Sequence, residues 1–253
     1  MKTALTVAGS DPTGGAGLQA DLKVFRAFGI HGLAVVSAVT AQNSVGVDAL
    51  VPVERDFIER QLSTLLSDIR PDAVKIGMLY RTSTVEIVAE FIKKYSLNNI
   101  VIDPVTVSSS GVSLVEEGTV DTMRDTLFPL SQVITPNIHE ASLLTGITIE
   151  NEKDMRYAVR ELKKTGPDAV VITGGHLGET ALDIYYDGEI HEFKGTKIEG
   201  EYHGTGCVYS SVITSLLALD YSPLEAVGRA KEFVRQAMEN AYSLGKGMAF
   251  LHM

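Results

Sequence analysis

Short apolar runs alternate along this chain with stretches in which apolar residues recur every three or four positions. Residues 4–8, 33–39, 73–79, 100–105, 133–135 and 169–173 are runs with few polar interruptions, the pattern of strands buried on both faces. Between them the spacing becomes helical: Leu18, Leu22, Phe25 and Phe28; Phe57, Ile58, Leu62, Leu65, Leu66 and Ile69; Val85, Val88, Phe91, Ile92 and Tyr95. Gly29 closes the first of these helices and Pro71 ends the second. Further helices are expected over 119–127, 140–144 and 155–164. The pattern then changes: apolar runs at 181–186 and 190–193 flank Asp187-Gly188, a hairpin signal. Two helices end the chain. One starts near Thr205 and carries Val212, Ile213, Leu216, Leu217 and Leu219. The other is expected over 223–244, with Pro223 in its first turn and Gly245 as its stop.

Repeated strand–helix units with near-continuous apolar strands imply an α/β fold with a mainly parallel sheet covered by helices on both faces. Ligands of such sheets gather beyond the carboxyl ends of the strands. The loops expected there are 9–17, 40–48, 77–81, 103–111, 135–140 and 173–178. No linker, repeat or low-complexity segment interrupts the 253 residues, so one domain is the expectation.

A net charge of −10 argues against nucleic acid or an anionic membrane as the main partner, since both reward basic patches. A phosphorylated ligand must then be held by local dipoles, a metal ion or a few cations. The single cysteine excludes an internal disulfide framework and a cysteine-based zinc site. The N-terminus meets a Gly/Asp/Pro turn too early for a signal peptide, and no apolar run reaches membrane-spanning length. A cytoplasmic protein is expected.

Six segments carry candidate chemistry. In His203-Gly204-Thr205-Gly206-Cys207 two glycines open a helix, where free N–H groups and the helix dipole make an anion cradle. Cys207 stands just inside that start, and a thiol there is expected to have a lowered pKa. The alternative is a glycine-rich helix entry with a small buried Cys. The segment 9–17, Gly-Ser-Asp-Pro-Thr-Gly-Gly-Ala-Gly, follows a strand and opens a helix. It fits G-x-G-x-x-A formally, yet the region after the next strand has no acid before Asp48, which counts against a dinucleotide site. It reads either as a packing turn or as a small-ligand loop with Asp11 and Asp21 as polar candidates. Gln42, at a strand end, can both donate to and accept from a heteroaromatic ring bearing an amine. Met78 can lie against such a ring or simply belong to the core, and Lys75 beside it can pair with a surface acid. Asp103-Pro104-Val105 and Thr135-Pro136-Asn137, with Glu140, put two carboxylates and an Asn at adjacent strand ends, suited to hydrated Mg²⁺ on a nucleotide. Glu140 alone would be an ordinary helix-start charge. Thr173-Gly174-Gly175-His176 is a close-approach loop suited to a nucleotide phosphate or base, with His176 equally able to be structural. Walker A, zincin and nucleophile-elbow signatures are absent.

Together, and in this order, these segments resemble the hydroxymethylpyrimidine and hydroxymethylpyrimidine-phosphate kinases of thiamine biosynthesis, in the ribokinase-like superfamily. The match runs from residues 8–23 through Ala41-Gln42-Asn43, Lys75-Ile76-Gly77-Met78-Leu79 and Asp103-Pro104-Val105 to Asn137 with Glu140, Gly174-Gly175-His176-Leu177 and the 203–207 segment. The resemblance implies a three-layer α/β/α sandwich, ATP with Mg²⁺ as phosphoryl donor, and a homodimer. It implies that Gln42 hydrogen-bonds an aminopyrimidine bordered by Gly9, Met78 and Val105, and that Asn137 and Glu140 serve the Mg-ATP side. The turn Gly204, Thr205, Gly206, Cys207 would be the anion hole. Two departures remove positive charge near bound phosphate. Ser108-Ser109-Ser110-Gly111 stands where the family usually has a lysine, and Thr173 stands where it commonly has another. The rival readings are a pyridoxine or pyridoxal kinase on the same fold and a catalytically silent ligand-sensing relative.

Overall fold

The computed structural model describes residues 1–108, 111–175 and 180–253. A nine-stranded sheet runs through it. Its strands are β1 (Thr3–Ser10), β2 (His31–Gln42), β3 (Val47–Pro52), β4 (Ala73–Ile76), β5 (Ile100–Ile102), β6 (Val133–Ile134), β7 (Ala169–Gly174), β8 (Thr180–Tyr186) and β9 (Ile190–Thr196). The spatial order is β3-β2-β1-β4-β5-β6-β7-β8-β9. The six strands from β2 to β7 are parallel to one another, and β3, β8 and β9 add antiparallel edges. The helices are α1 (Gly17–Ala27), α2 (Arg55–Leu66), α3 (Thr82–Lys94), α4 (Thr119–Thr122), α5 (Ile138–Thr145), α6 (Glu152–Lys163), α7 (Thr205–Ala218) and α8 (Pro223–Glu239). A two-stranded parallel ribbon, β10 (Tyr202–His203) with β11 (Ala249–Phe250), ties the C-terminal segment to the entry of α7.

Strand alternation sorts the core into two layers. Ile100, Ile102, Ile134, Val170 and Ile172 face α2, α3, α5 and α6. Their neighbours Val101, Val133, Ala169 and Val171 face α1, α7 and α8. The architecture is the three-layer α/β/α sandwich. The sheet order reverses between β1 and β4, so the crevice beyond their carboxyl ends is the natural ligand site.

Element boundaries depart from the sequence pattern in a few places. Residues 40–48 are not all loop: β2 reaches Gln42 and β3 begins at Val47, paired to it antiparallel around Asn43–Gly46. The stretch 119–127 is a single α-turn followed by a π-turn over Met123–Leu127 and a 3₁₀ turn holding Pro129. The last helix ends at Glu239, not near Gly245, because the chain turns there to send β11 back to β10. Gly245 and Gly247 instead lie against Ser44, where a Cβ on either would collide. Gly29 does close α1: its φ is 70°, and Ile30 N–H bonds back to the Phe25 carbonyl at 2.9 Å.

Candidate active site

A cleft of about 1440 Å³ lies beyond the strand carboxyl ends and runs on between β9 and α8. Gly9, Asp11, Gln42, Met78, Asp103, Val105, Asn137, Glu140, Thr173, Gly175, Gly204, Thr205, Gly206 and Cys207 all line it. His176 lies outside the described residues, as do Ser109 and Ser110.

At one end Met78, Leu114 and Val105, part of a small apolar cluster with Ala38, line the cleft. Gly9 is pressed under Met78, so that a Cβ there would strike the methionine methyl. Gln42 stands at the rim of this patch, at the end of β2.

In the centre the N-terminus of α7 opens toward the cleft. Gly204 caps it at φ 82°, a left-handed conformation that suits glycine, and its Cα sits on the Gly15 carbonyl. The cap uses no side chain, so the first N–H groups of α7 are those a helix start leaves for a ligand. Gly206 faces the Asp103 carboxylate.

Cys207 does not carry the lowered pKa expected of a thiol at a helix start. Burial pushes it up to about 12. Lys75 pulls it down, Asp103 and Asp21 push it up again, and the Gly17 N–H aimed at the sulfur recovers only a little. The thiol is therefore protonated at neutral pH.

Asp21 is not a ligand-binding residue. It is fully buried on α1 and absent from the cleft wall. Its carboxylate accepts from Thr6 Oγ1 at 2.6 Å, Ser211 Oγ at 2.6 Å and Lys75 Nζ at 2.8 Å. Lys75 accordingly pairs with a core acid and not a surface one, and that attraction more than offsets the burial that would lower its pKa.

Asp11 lines the cleft, but its lone pairs are spent on its own loop. It accepts from Thr13 N (2.8 Å), Thr13 Oγ1 (2.9 Å), Ala16 N (2.8 Å) and His203 Nε2 (2.8 Å). Burial alone would raise its carboxyl. The hydrogen bonds from His203 and Thr13 outweigh that, the Gln42 amide acts in the same sense, and the carboxyl lies well below the usual range. It organises the loop and leaves nothing for a substrate.

Toward the other end, Asn137 and Glu140 form a reciprocal cap on α5. Asn137 Oδ1 accepts from Glu140 N at 2.9 Å, and Glu140 Oε2 accepts from Asn137 N at 2.9 Å. Glu140 is thus a helix-start residue and a cleft carboxylate at once. Burial, then the charge of Asp103, push its carboxyl up to about 8. Burial also raises Asp103, against the pull of Lys75 and a hydrogen bond from Ser210.

Two buried carboxylates, one of which raises the proton affinity of the other, are a place for a cation. Among the described residues no third His, Cys, Asp or Glu joins them into a cluster. Two hard oxygen ligands, with the remaining positions left to water and phosphate oxygens, fit Mg²⁺ on a nucleotide.

Sequence reasoning gave no role to several residues here. His203 stands next to Gly204 but its partner is 192 positions away. Asp183 on β8 accepts from Gly174 N (3.2 Å) and Tyr209 OH (3.3 Å) and pairs with Lys231 of α8 at 3.0 Å. An Asp between Leu182 and Ile184 in an apolar strand was the available signal; nothing local pointed to Lys231.

Residues 11–252 match the family model described as phosphomethylpyrimidine kinase. The chain belongs to that family. Over 251 residues it is 40% identical to a hydroxymethylpyrimidine/phosphomethylpyrimidine kinase of Bacillus subtilis, covering 96% of this chain and 92% of that one. A solved phosphomethylpyrimidine kinase of Clostridium difficile is 40% identical, with a TM-score of 0.84 over 94% of this chain and all of that one. This family member also superposes on the ADP complex of Bacillus subtilis pyridoxal kinase, at 36% identity and a TM-score of 0.91 over 99% and 96% of the two chains.

Proposed function

We propose that this kinase, acting as one domain, transfers the γ-phosphoryl group of ATP to the alcohol of 4-amino-5-hydroxymethyl-2-methylpyrimidine. It then phosphorylates the monophosphate to the diphosphate, in thiamine biosynthesis. The observation that carries this reading is the continuity of one cleft. It runs from an apolar patch lined by Met78, Leu114 and Val105 with the Gln42 amide in the same cleft, past an open helix N-terminus, to a pair of buried carboxylates.

In this reading the aminopyrimidine lies on Met78 and Val105 with Gln42 on its amine. The α7 N–H groups of Gly204–Cys207 stabilise the equatorial oxygens of the transferred group. Asp103 and Glu140 hold Mg²⁺, which when bound supplies charge neutralisation to the phosphates. Asn137, Thr173 and Gly175 border the nucleotide. Phosphoryl transfer is mainly positioning and charge stabilisation, with little need to deprotonate the alcohol early. A neutral Cys207 suits that: the alcohol proton leaves late, to an oxygen of the transferred phosphoryl group, and the thiol, which keeps its own proton, does not repel an acceptor that is already a phosphate monoester. A fixed carboxylate there would repel one by roughly 4 kcal/mol at ~4 Å and an effective dielectric constant of ~20.

A second reading, a pyridoxine or pyridoxal kinase, is favoured by the fold itself. A Staphylococcus aureus pyridoxal kinase structure in complex with AMP-PCP and pyridoxal superposes with a TM-score of 0.92 at 32% identity. Phosphorus NMR of products, with Mg-ATP and either alcohol, separates the two. A monophosphate followed by a diphosphate from hydroxymethylpyrimidine supports the first. Preferential turnover of pyridoxine overturns it.

A homodimer is part of the proposal, supported by the exposed apolar cross-strand pair Val39 and Val51 near the sheet edge. Sedimentation at a single monomer mass would remove it. No described helix is long and apolar enough to cross a membrane, and a cytoplasmic location fits the proposed pathway.

A further inference from the structure

Two loops from opposite ends of the chain meet at the centre of the cleft. One, residues 9–17, begins at Gly9, pressed against Met78 of the apolar patch. The other, residues 203–207, is the anion cradle. They are joined at two points. Asp11 Oδ2 takes His203 Nε2 at 2.8 Å, and the Gly204 Cα rests on the Gly15 carbonyl, where a Cβ would collide. A Cβ on Gly15 would in turn strike the His203 ring.

Both members of the pair are buried, His203 at 7% exposure and Asp11 at 2%. An ionised carboxylate only accepts, so His203 carries its proton on Nε2. Its Nδ1 is buried with no hydrogen-bond partner among the described residues. The imidazole is held from behind by Phe250, edge-on at 5.9 Å, through the β10–β11 ribbon. The carboxylate that receives it is already filled by Thr13 and Ala16. His203 Nε2 and the Asp11 oxygen that receives it are both spent on this contact. The link ties the 9–17 loop to the anion cradle.

We propose that Asp11 and His203 form a positioning clasp: they fix the α7 N-terminus against the ring-binding loop and so govern the chemical step without touching substrate. The proposal rests on the kinase reading above. Misplacement of a reacting group by about an ångström costs on the order of a hundredfold in rate.

The test is steady-state kinetics with Mg-ATP and hydroxymethylpyrimidine, normalised to the folded fraction from circular dichroism. His203→Ala is expected to lower kcat about 10- to 100-fold with both KM values within about threefold. His203→Gln keeps an N–H donor and is expected to recover a large part. The double variant with Asp11→Asn is expected to lose no more than the worse single variant, as for two parts of one contact. An unchanged kcat per folded molecule, equal losses in the Ala and Gln variants, or independent multiplication of the two losses would overturn the clasp. If the variants do not fold, imidazole ¹⁵N spectra of the intact wild-type chain decide. Nε2 protonation is expected without ligands and unchanged with Mg-AMP-PCP and the pyrimidine. An Nδ1-protonated ring, or a proton that moves on ligand binding, rules the clasp out. Absence of turnover by the wild-type chain would remove the kinase reading instead, and the same spectra would still test the clasp.

Discussion

The two helical layers of this sandwich are built differently. On the face of α2, α3, α5 and α6 the sheet meets a core of Leu, Ile, Val, Met and Phe that is apolar across most of its width. On the face of α1, α7 and α8 the core is crossed by polar side chains. Asp21, Lys75, Thr6 and Ser211 form one buried group; Asp103 with Ser210 forms a second; Asp183, Tyr209 and Lys231 a third. Helix α7 alone buries Ser210, Ser211, Thr214 and Ser215 completely. An all-apolar layer packs without direction. A layer of hydrogen bonds and ion pairs fixes one helix in one register, at the cost of desolvating charge. The costly layer is the one that carries the anion cradle.

The largest expected effect breaks that layer at its centre. Asp21→Ala leaves the Lys75 ammonium buried without its partner and is expected to cost about 3–5 kcal/mol, a Tm loss of roughly 10 °C by calorimetry. Activity should fall in the molecules that stay folded, because Lys75 lies beneath Cys207. Leu162→Ala, in the apolar layer, is expected to cost about 2–5 kcal/mol yet leave kcat per folded molecule within about twofold. Equal effects on kcat in the two variants would erase the functional distinction between the layers.

Next comes the group that the polar layer presents. Cys207→Ala keeps the position neutral and is expected to change each step by less than about tenfold, measured separately by product NMR. Cys207→Asp should keep the first step and depress the second by on the order of a thousandfold, the repulsion of about 4 kcal/mol. Equal losses in both steps would mean that the neutral thiol has no role in accepting a phosphate. Since the thiol titrates near 12, alkylation by iodoacetamide should be slow at pH 7 and rise only in strong alkali.

A smaller effect depends on pH. The Asp11 carboxyl is held below its unfolded value, so the folded state stays ionised where the unfolded chain takes up a proton. Its contribution is present in full above about pH 4 and is lost as pH falls through the lower folded value. Asp11→Asn should lower stability by about 2 kcal/mol at neutral pH, and the gap to wild type should narrow as pH falls below about 4 in urea titrations. A constant gap from pH 7 to pH 2 would show that ionisation of Asp11 is not what holds the loop.

The smallest pair compares two helix caps on the apolar side. Asn151 caps α6 by accepting from Lys153 N and Asp154 N, far from any proposed ligand. Asn137 caps α5 at the cleft. Alanine at either should cost about 1 kcal/mol. Only Asn137→Ala should also raise KM for ATP, by several-fold. No change in that KM would place Asn137 in the scaffold alone.

Much of the site was legible because glycine and strand-end residues carry their reasons locally. Gly204 announces a helix entry, and Asp103 with Asn137 and Glu140 at adjacent strand ends marks the carboxylate end of the cleft. Asp11 and Asp21 were legible as polar but not as to their use. Asp11 follows β1 directly in the glycine-rich stretch, and Asp21 lies just beyond it in α1. Yet one faces into the core at Lys75, 54 positions on, and the other faces its own loop and His203. Cys207 was read from the helix start alone. The dipole there favours a thiolate, but burial and the two acids around Lys75 outweigh it.

The sequence by itself determined the alternation of strands and helices, the parallel sheet with its antiparallel hairpin, and the set of loops at its carboxyl edge. Those follow from period, turn chemistry and caps, which act over a few residues. Only the tertiary structure decided which charges are spent inside and which remain for a ligand. Desolvation and ion pairing depend on neighbours brought together from 50 to 200 positions away, and no local pattern records who those neighbours are.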